Sequence, residues 1–159
     1  MPRPASNLKD KVVNRAVNSL RRNKRIEQIS FAAIAKELGT TIDEISSFYT
    51  TTEDIFLEAQ KKDWETLHRY WDKHIKKAKT PGDFKNAFEI FFERFVETLS
   101  KDADLRLELS CYLPKCVKYR ESNRKRVKQK FYRLIKRGWP GKDEKVLERQ
   151  TELVTVLFY

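Results

Sequence analysis

Residues 29–56 read ISFAAIAKELGTTIDEISSFYTTTEDIF, and this stretch decides the fold that the sequence predicts. Ser30 is a favourable helix N-cap, and apolar residues follow it at the spacing of one helix face. Gly39 comes directly after this run, where a helix end favours a residue that can adopt a positive φ. Thr41 then starts a second helix, and Glu44 three residues later completes a capping box. The stretch therefore predicts two short helices joined by a glycine-containing turn, a helix-turn-helix.

The residues on either side extend this unit at both ends. The segment from Leu8 to about Arg22 predicts a preceding helix with one apolar face, followed by a polar loop. On the other side, Thr51 or Thr52 caps a long helix that we expect to run to about Ala78. In a helix-turn-helix the second helix usually lies in the major groove of DNA, so the pattern favours a DNA-binding head.

The order of these residues resembles the TetR-like family of one-component transcriptional regulators. Members of that family carry a Ser or Thr cap, an apolar run with Ile-Ala, a Gly, a short recognition helix, an aromatic pair and an acidic start to a long helix. The matching residues are Ser30, Ile34, Ala35, Gly39, Ile45, Phe48, Tyr49, Glu53, Asp54 and Ile55. The match covers about residues 8–57, and its spacing holds across three consecutive helices.

The resemblance implies an all-α protein with two parts. Residues 1–50 are expected to form a three-helix DNA-binding head, and residues 51–159 a C-terminal helical bundle that binds an effector and dimerises. The residues implied to lie at the DNA are Ser30, Lys36, Thr40, Thr41, Ile42, Asp43, Ser46, Ser47 and Thr52.

The recognition helix departs from the family pattern at its exposed positions. That helix usually offers a Lys or Gln, a small residue and a Tyr that contacts phosphate, whereas this chain has Ile42, Asp43 and Ser46 there. A Lys often follows the aromatic pair, and here the position is Thr52. Glu44 has a capping role, but Asp43 either accepts a hydrogen bond from a cytosine amino group or repels phosphate.

Composition places the chain among helical proteins without membrane spans. It has 159 residues, 40% of them hydrophobic, with 4 Gly and 5 Pro. No run of about 18 apolar residues exists, and the first residues lack the apolar core of a secretory signal. Two cysteines, Cys111 and Cys116, make no disulfide framework, and we expect buried structural thiols rather than a redox sensor. We therefore expect a cytoplasmic protein.

The residues give little support for an enzyme. His68 and His74 lie six positions apart on one predicted helix, so they point in different directions and make a poor metal pair. The sequence contains no glycine-rich phosphate loop and no nucleophile elbow. We accordingly expect no catalytic residues, no metal and no cofactor.

The net charge of +11 is concentrated in two blocks. Residues 1–36 hold nine Lys and Arg against two acids, and residues 114–142 hold twelve against Glu121 alone. The first block coincides with the predicted head, as neutralisation of DNA phosphates requires. A solvated basic face explains either block alone about equally well.

The remaining sequence predicts a bundle rich in aromatic residues. Further helices are expected over about residues 81–99, 102–113 and 115–137, and a last one from about Asp143. The resemblance implies an effector cavity between such helices, and the abundance of aromatic residues suggests a small hydrophobic or planar effector. The candidate effector residues are Trp64, His68, Trp71, Phe88, Phe92, Phe95 and Tyr112, although plain core packing is the favoured interpretation for each one taken alone.

The last helix presents one broad apolar face, and it continues to the final residue without a stop signal. The face comprises Val146, Leu147, Gln150, Leu153, Val154, Leu157 and Phe158. We expect two copies to pair through it, since a two-fold interface needs only one self-complementary patch. Family members usually run some tens of residues further, so this end is expected to be either shortened or buried.

Taken together, the residues and the resemblance predict a homodimeric repressor of the TetR-like type. It would bind operator DNA through its head and be released by a small hydrophobic effector. The alternative is a TetR-like ligand-binding or interaction protein whose head no longer reads DNA. The acids Asp43 and Glu44 favour the alternative, and the basic first block favours the regulator.

Overall fold

Every secondary-structure element that the computed structural model describes is a helix, which confirms the predicted all-α class. The description covers residues 5–22, 25–75, 77–100, 109 and 112–156, with backbone alone at residues 5, 6, 81 and 98–100. The elements are α1 (Ala5–Arg21), a short 3-10 helix (Ile26–Gln28), α2 (Phe31–Leu38), α3 (Ile42–Ser46), α4 (Thr52–His74), α5 (Pro81–Ser100), α6 (Pro114–Gly138) and α7 (Glu144–Val156). The predicted helix over residues 102–113 falls almost entirely outside the described residues.

Helix α4 ends at His74, four residues before the predicted end at Ala78. The following turn is shaped by the start of α5, where the Thr80 hydroxyl accepts a hydrogen bond from the Asp83 amide at 3.1 Å. The Asp83 carboxylate in turn accepts from the amides of Lys79 and Thr80, at 3.1 and 2.9 Å. These hydrogen bonds to backbone amides lower the pKa of Asp83, with that from Thr80 the largest cause. This capping box commits residues 79–83 to the start of a new helix.

The chain divides into two compact units. Unit 1 comprises Met1–Trp64 and Asp102–Val117, and unit 2 comprises Glu65–Lys101 and Lys118–Tyr159. Helices α4 and α6 each begin in unit 1 and end in unit 2. The division into functional parts at residue 50 stays a prediction.

Unit 1 is built around one apolar core. It brings together the inward faces of α1, α2 and α3 with the start of α4, together with Leu109 and Cys116. The most completely buried apolar side chains are Val12, Ala16, Ile45, Ile55 and Phe56, each at 0% exposure. Burial of Ile45 ties α3 to this core, and so holds its outer face in one orientation.

Unit 2 has an aromatic core of its own. The Trp71 ring meets the Phe91 ring edge-on at 4.8 Å and the Phe131 ring edge-on at 4.7 Å. Such edge-to-face pairs stabilise a core beyond the burial of their area. The cluster joins α4, α5 and α6.

Helix α7 buries Leu147 of the predicted apolar face together with two threonines, and it leaves Val146, Gln150 and Leu153 of that face exposed. Its inward residues are Leu147, Thr151 and Thr155, spaced four apart. The hydroxyl of Thr151 donates to the Leu147 carbonyl at 2.7 Å, which satisfies this buried polar group within the helix. Val146 and Leu153 remain 43% and 64% exposed. Leu157 and Phe158 lie outside the described residues.

None of the described helices combines the length and apolar character that crossing a bilayer requires.

Candidate functional site

The hydrogen bonds that the sequence predicts at the ends of α2 and α3 are present. The Ser30 hydroxyl accepts from the Ala33 amide at 3.2 Å, which caps α2. Gly39 follows α2 in the left-handed conformation, with φ 61° and ψ 41°. The Thr41 hydroxyl accepts from the Glu44 amide at 3.2 Å, and the Thr41 amide donates to the Glu44 carboxylate at 3.1 Å. The turn between the two helices thus starts at the left-handed Gly39 and ends at the Thr41–Glu44 capping box.

The side chains predicted at the DNA divide into those committed to this scaffold and those pointing into solvent. Ser30 and Thr41 act as caps, the Thr40 hydroxyl donates to Glu44, and the Ser47 hydroxyl donates to the Glu44 carbonyl at 2.7 Å. Thr52 is half-buried at the start of α4. The exposed side chains without a hydrogen bond or ion pair to any described residue are Lys36, Ile42, Asp43 and Ser46. These four side chains are therefore the predicted DNA-contact residues that the scaffold leaves available for a partner.

The two acids of α3 differ in what they contact. The Glu44 carboxylate is bound by Thr40 and by the Thr41 amide, so its charge is engaged in capping. Asp43 is exposed and makes no such contact within the described residues. Asp43 is therefore the acid of α3 whose charge no described residue engages.

Ion pairs take up part of the first basic block. Arg15 pairs with Glu37, Lys62 with Asp10, and Lys9 lies 3.6 Å from Glu58. The exposed cations of the block that lack an ion pair within the described chain are Lys11, Arg22, Arg25 and Lys36.

Lys115, a member of the second basic block, is paired with acids at the start of α4 within unit 1. Its ammonium lies 2.5 Å from the Asp54 carboxylate, and its amide donates to Glu53. The hydrogen bond from Lys115 lowers the pKa of Asp54 and is the largest cause of that shift. The acids at the start of α4 are thus compensated by a residue sixty positions later, which no local pattern could reveal.

The candidate effector residues fall into both units. Trp64 and Tyr112 belong to unit 1, and Tyr112 is 75% exposed. His68, Trp71, Phe88, Phe92 and Phe95 belong to unit 2. Within unit 2, ring contacts through Phe91 and Phe131 connect the four aromatic members of this group.

An apolar cavity of about 870 Å³ lies beside this cluster in unit 2. Its walls come from α5, α6, α7 and the connection between α6 and α7. Phe88 and Phe131 line it together with Phe84, Trp139 and Leu153. Of the candidate effector residues only Phe88 lines the cavity wall, whereas Trp71 packs against Phe91 and Phe131 in the core of unit 2. The aromatic residues singled out from the sequence lie close to this cavity. Helical periodicity did not single out Trp139, because it lies in the loop after α6.

His68 is buried at 5% exposure, and its Nε2 lies 2.8 Å from the Oδ1 of Asn123. Burial lowers the pKa of this imidazole and outweighs the hydrogen bond with Asn123, which acts in the opposite direction. The neutral ring thus serves as a hydrogen-bonding core residue of unit 2.

Cys116 is completely buried, in line with the structural thiol that the sequence predicts. Burial raises the pKa of this thiol to about 12, with the nearby Glu53 a lesser cause. A thiol of that pKa is a poor nucleophile near neutral pH. Cys111 lies outside the described residues. Within the described ranges, no three His, Cys, Asp or Glu side chains cluster as a metal site would require.

No protein-family model matches the chain, and no curated protein is significantly similar to it in sequence.

Proposed function

We propose that the chain is a TetR-like transcriptional repressor that binds operator DNA as a homodimer. Residues 1–50 act as the DNA-binding head, with α3 as the recognition helix. The observation that carries the proposal is the α2–α3 turn, in which Gly39 is left-handed and Thr41 and Glu44 form a capping box. This turn leaves Ile42, Asp43 and Ser46 exposed on one short helix anchored by the buried Ile45.

In the proposed complex with DNA, some residues contact bases and others contact phosphates. Ser46 and Asp43 contact base edges in the major groove, with Asp43 accepting from a cytosine amino group. Lys36 and the unpaired cations Arg22 and Arg25 contact phosphate. Because phosphate contacts release counterions, affinity falls steeply as salt rises.

The proposed dimer forms through α7. Leu147, Thr151 and Thr155 pack inward, whereas Val146 and Leu153 on another side of α7 stay 43% and 64% exposed, and Leu153 also borders the apolar cavity. Contiguous exposed apolar surface on a small soluble protein marks an interaction site. A two-fold pairing of this surface would also present two heads to a near-palindromic operator.

The proposed effector is a small hydrophobic or planar molecule that occupies the apolar cavity of unit 2. A volume of about 870 Å³ lies within the range of small-molecule sites, and Phe84, Phe88 and Trp139 offer flat apolar walls. Helix α4 has residues in both units, so a change in this helix is the proposed route from effector to operator affinity.

Selection of genomic fragments on the purified chain at low salt tests the regulator. We expect enrichment of a near-palindromic site whose half-sites lie about one helical turn apart, and binding that weakens as salt rises. In the variant Ser46→Ala, selectivity for that site should drop while affinity for random DNA stays the same. If no sequence is enriched at any salt concentration, the regulator proposal is wrong.

The dimer is tested separately by sedimentation. The parent should sediment as a dimer at micromolar concentration, and Leu153→Glu with Leu157→Glu should give a helical monomer of reduced operator affinity. Val96→Glu is the matched control, since Val96 is a similarly exposed apolar residue (46%) on α5. A monomeric parent contradicts the proposal.

The alternative function is a ligand-binding or interaction protein of the same type whose head no longer reads DNA. It is favoured by one observation, the exposed and unpaired carboxylate of Asp43 at the start of α3. The substitution Asp43→Asn separates the two functions. It should change which sites are enriched if the head reads DNA, and it should change nothing if the head does not.

A further inference from the structure

Helix α6 carries most of the second basic block. Its 25 residues include eleven Lys and Arg and a single acid, Glu121. The apolar residues of its unit 2 portion, among them Val127, Phe131 and Leu134, are buried, so the cations occupy the remaining surface. The operator-binding proposal makes no use of this surface.

Two grooves flank the outward side of α6 within unit 2. A groove of about 970 Å³ lies between α6 and α7, and one of about 460 Å³ lies between α6 and the last part of α4. Gln129 and Arg133 line both grooves, Lys125 lines the first and Arg126 the second. We call these four residues the basic ridge. It stands between two concave surfaces that are both lined by further cations.

Several cations at the ridge and the wider groove form no ion pair within the described chain. Lys128 pairs with Glu152, and Lys130 lies 3.1 Å from Asp72. By contrast, the exposed side chains of Lys125, Arg133, Lys145 and Arg149 form no ion pair or hydrogen bond with any described residue. The wider groove is lined by five cations against the two acids Glu148 and Glu152, and such an excess of positive charge concentrates anions there.

The layout of the charges favours an extended polyanion over a compact one. On one side of α6, Lys118, Lys125 and Arg133 follow one another at intervals of seven and eight residues. At about 1.5 Å per residue these three span on the order of 22 Å, the length of about six base pairs at 3.4 Å each. A compact phosphate ligand needs cations that converge on one point, whereas a nucleic-acid backbone presents charges in a row.

The same surface does not suit a lipid bilayer. A helix that lies in a membrane interface places exposed apolar side chains beside its cations. On the unit 2 part of α6, the apolar residues Val127, Phe131, Leu134 and Ile135 are all buried. The ridge offers only Lys, Arg and Gln, and Arg in particular matches phosphate geometry with paired N–H donors.

We propose that the basic ridge and the groove between α6 and α7 bind the phosphate backbone of nucleic acid without regard to base sequence. This surface belongs to unit 2, whereas α3 belongs to unit 1, and the inference does not rest on operator recognition. Contacts come from Lys125, Arg133 and Arg149.

Binding of the full chain to a random-sequence duplex, measured from 50 to 300 mM salt, tests the proposal. The ridge variant combines Lys125→Gln, Arg133→Gln and Arg149→Gln. Each lost phosphate contact should reduce the slope of log affinity against log salt by about 0.9, so the slope should become shallower by about 2 to 3. Affinity at 100 mM salt should fall at least about tenfold.

The matched control removes the same charge elsewhere in unit 2. It combines Lys73→Gln, Lys77→Gln and Lys79→Gln, three exposed residues that line neither groove. The control should keep the parent's slope. Far-UV circular dichroism checks that both variants fold, and single substitutions replace the triple one if it does not.

Three outcomes would overturn the proposal. The first is that the ridge variant and the parent show equal slopes. The second is that the control loses as much slope as the ridge variant, which would indicate net charge alone. The third is that the parent binds phosphatidylserine vesicles but no duplex or single strand at 50 mM salt. If no operator sequence is enriched but the ridge variant still has a shallower salt slope than the parent, only the regulator proposal is refuted. The failures of the two proposals are therefore distinguishable.

Discussion

Gly39 offers the sharpest single test of how the head is built. Its φ of +61° lies in the left-handed region, and a Cβ added there would meet no atom within 4 Å. The cost of Gly39→Val therefore comes from backbone conformation and not from a clash. A non-glycine residue in this conformation costs about 1–2 kcal/mol, and a β-branched one lies at the upper end.

This cost converts into a measurable shift in melting temperature. For a chain of 159 residues, 1 kcal/mol corresponds to about 2–4 °C. Gly39→Val should thus lower the melting temperature by about 4–8 °C, followed by circular dichroism at 222 nm. Gly39→Asn should cost less, because Asn tolerates the left-handed region. The misplaced turn should also weaken operator binding, since it sets the start of α3.

Gly82→Val is the matched control for this prediction. Gly82 lies in α5 outside the left-handed region, and its nearest neighbour for a Cβ is the Thr80 hydroxyl at an ordinary 3.8 Å. The same substitution there should leave the melting temperature nearly unchanged. If Gly39→Val and Gly39→Asn both have the same melting temperature as the parent, the left-handed turn does not exist and the reasoning about α2 and α3 is wrong.

Three further predictions concern buried groups. Phe131→Ala should cost about 3–5 kcal/mol in denaturant unfolding because Phe131 is 1% exposed, whereas Phe92→Ala, at 36% exposure, should cost clearly less. Burial lowers the pKa of His68, so the stability it contributes is present above its ordinary pKa of 6.5 and is lost as pH falls below that value. His68→Gln should flatten the fall in melting temperature between pH 7 and 5, with His74→Gln as the control, and an unchanged profile would contradict this. Cys116, with its pKa raised to about 12, should resist iodoacetamide at pH 8 until the chain unfolds, and rapid labelling in peptide mass maps would count against its burial.

The parts of the fold that the sequence predicted are those specified by neighbouring residues. The caps at Ser30 and Thr41 and the left-handed Gly39 each depend on bonds within five residues, and all are present. The end of α4 was placed too late, because the apolar stripe continues through Ile75 and Ala78. Apolar spacing marks the face of a helix but not where its hydrogen bonding stops, and here α4 ends at His74.

The candidate effector site shows why aromatic residues alone could not define a cavity. Trp71 and Phe91 satisfy helical spacing, yet the two rings fill each other's space. The cavity wall depends on Trp139, which follows the end of α6, and on which side of α7 faces it. Periodicity places residues on a helix face, but it does not say which faces leave space between them.

The two basic blocks show that a count of Lys and Arg along the sequence does not reveal which of these cations are paired with acids. In the head, Lys9 and Arg15 are matched to acids, and Lys115 arrives from the distant block to neutralise Asp54. A count along the sequence therefore overstates the cations that the first block can offer to DNA. On α6, Lys125 and Arg133 keep their charges unmatched within the described chain. Within the described chain the first block and the wider groove with its ridge each keep four exposed cations without an ion pair. If phosphate contacts supply most of the affinity for DNA, as they commonly do, then unit 2 should contribute about as much to the salt dependence as the head does.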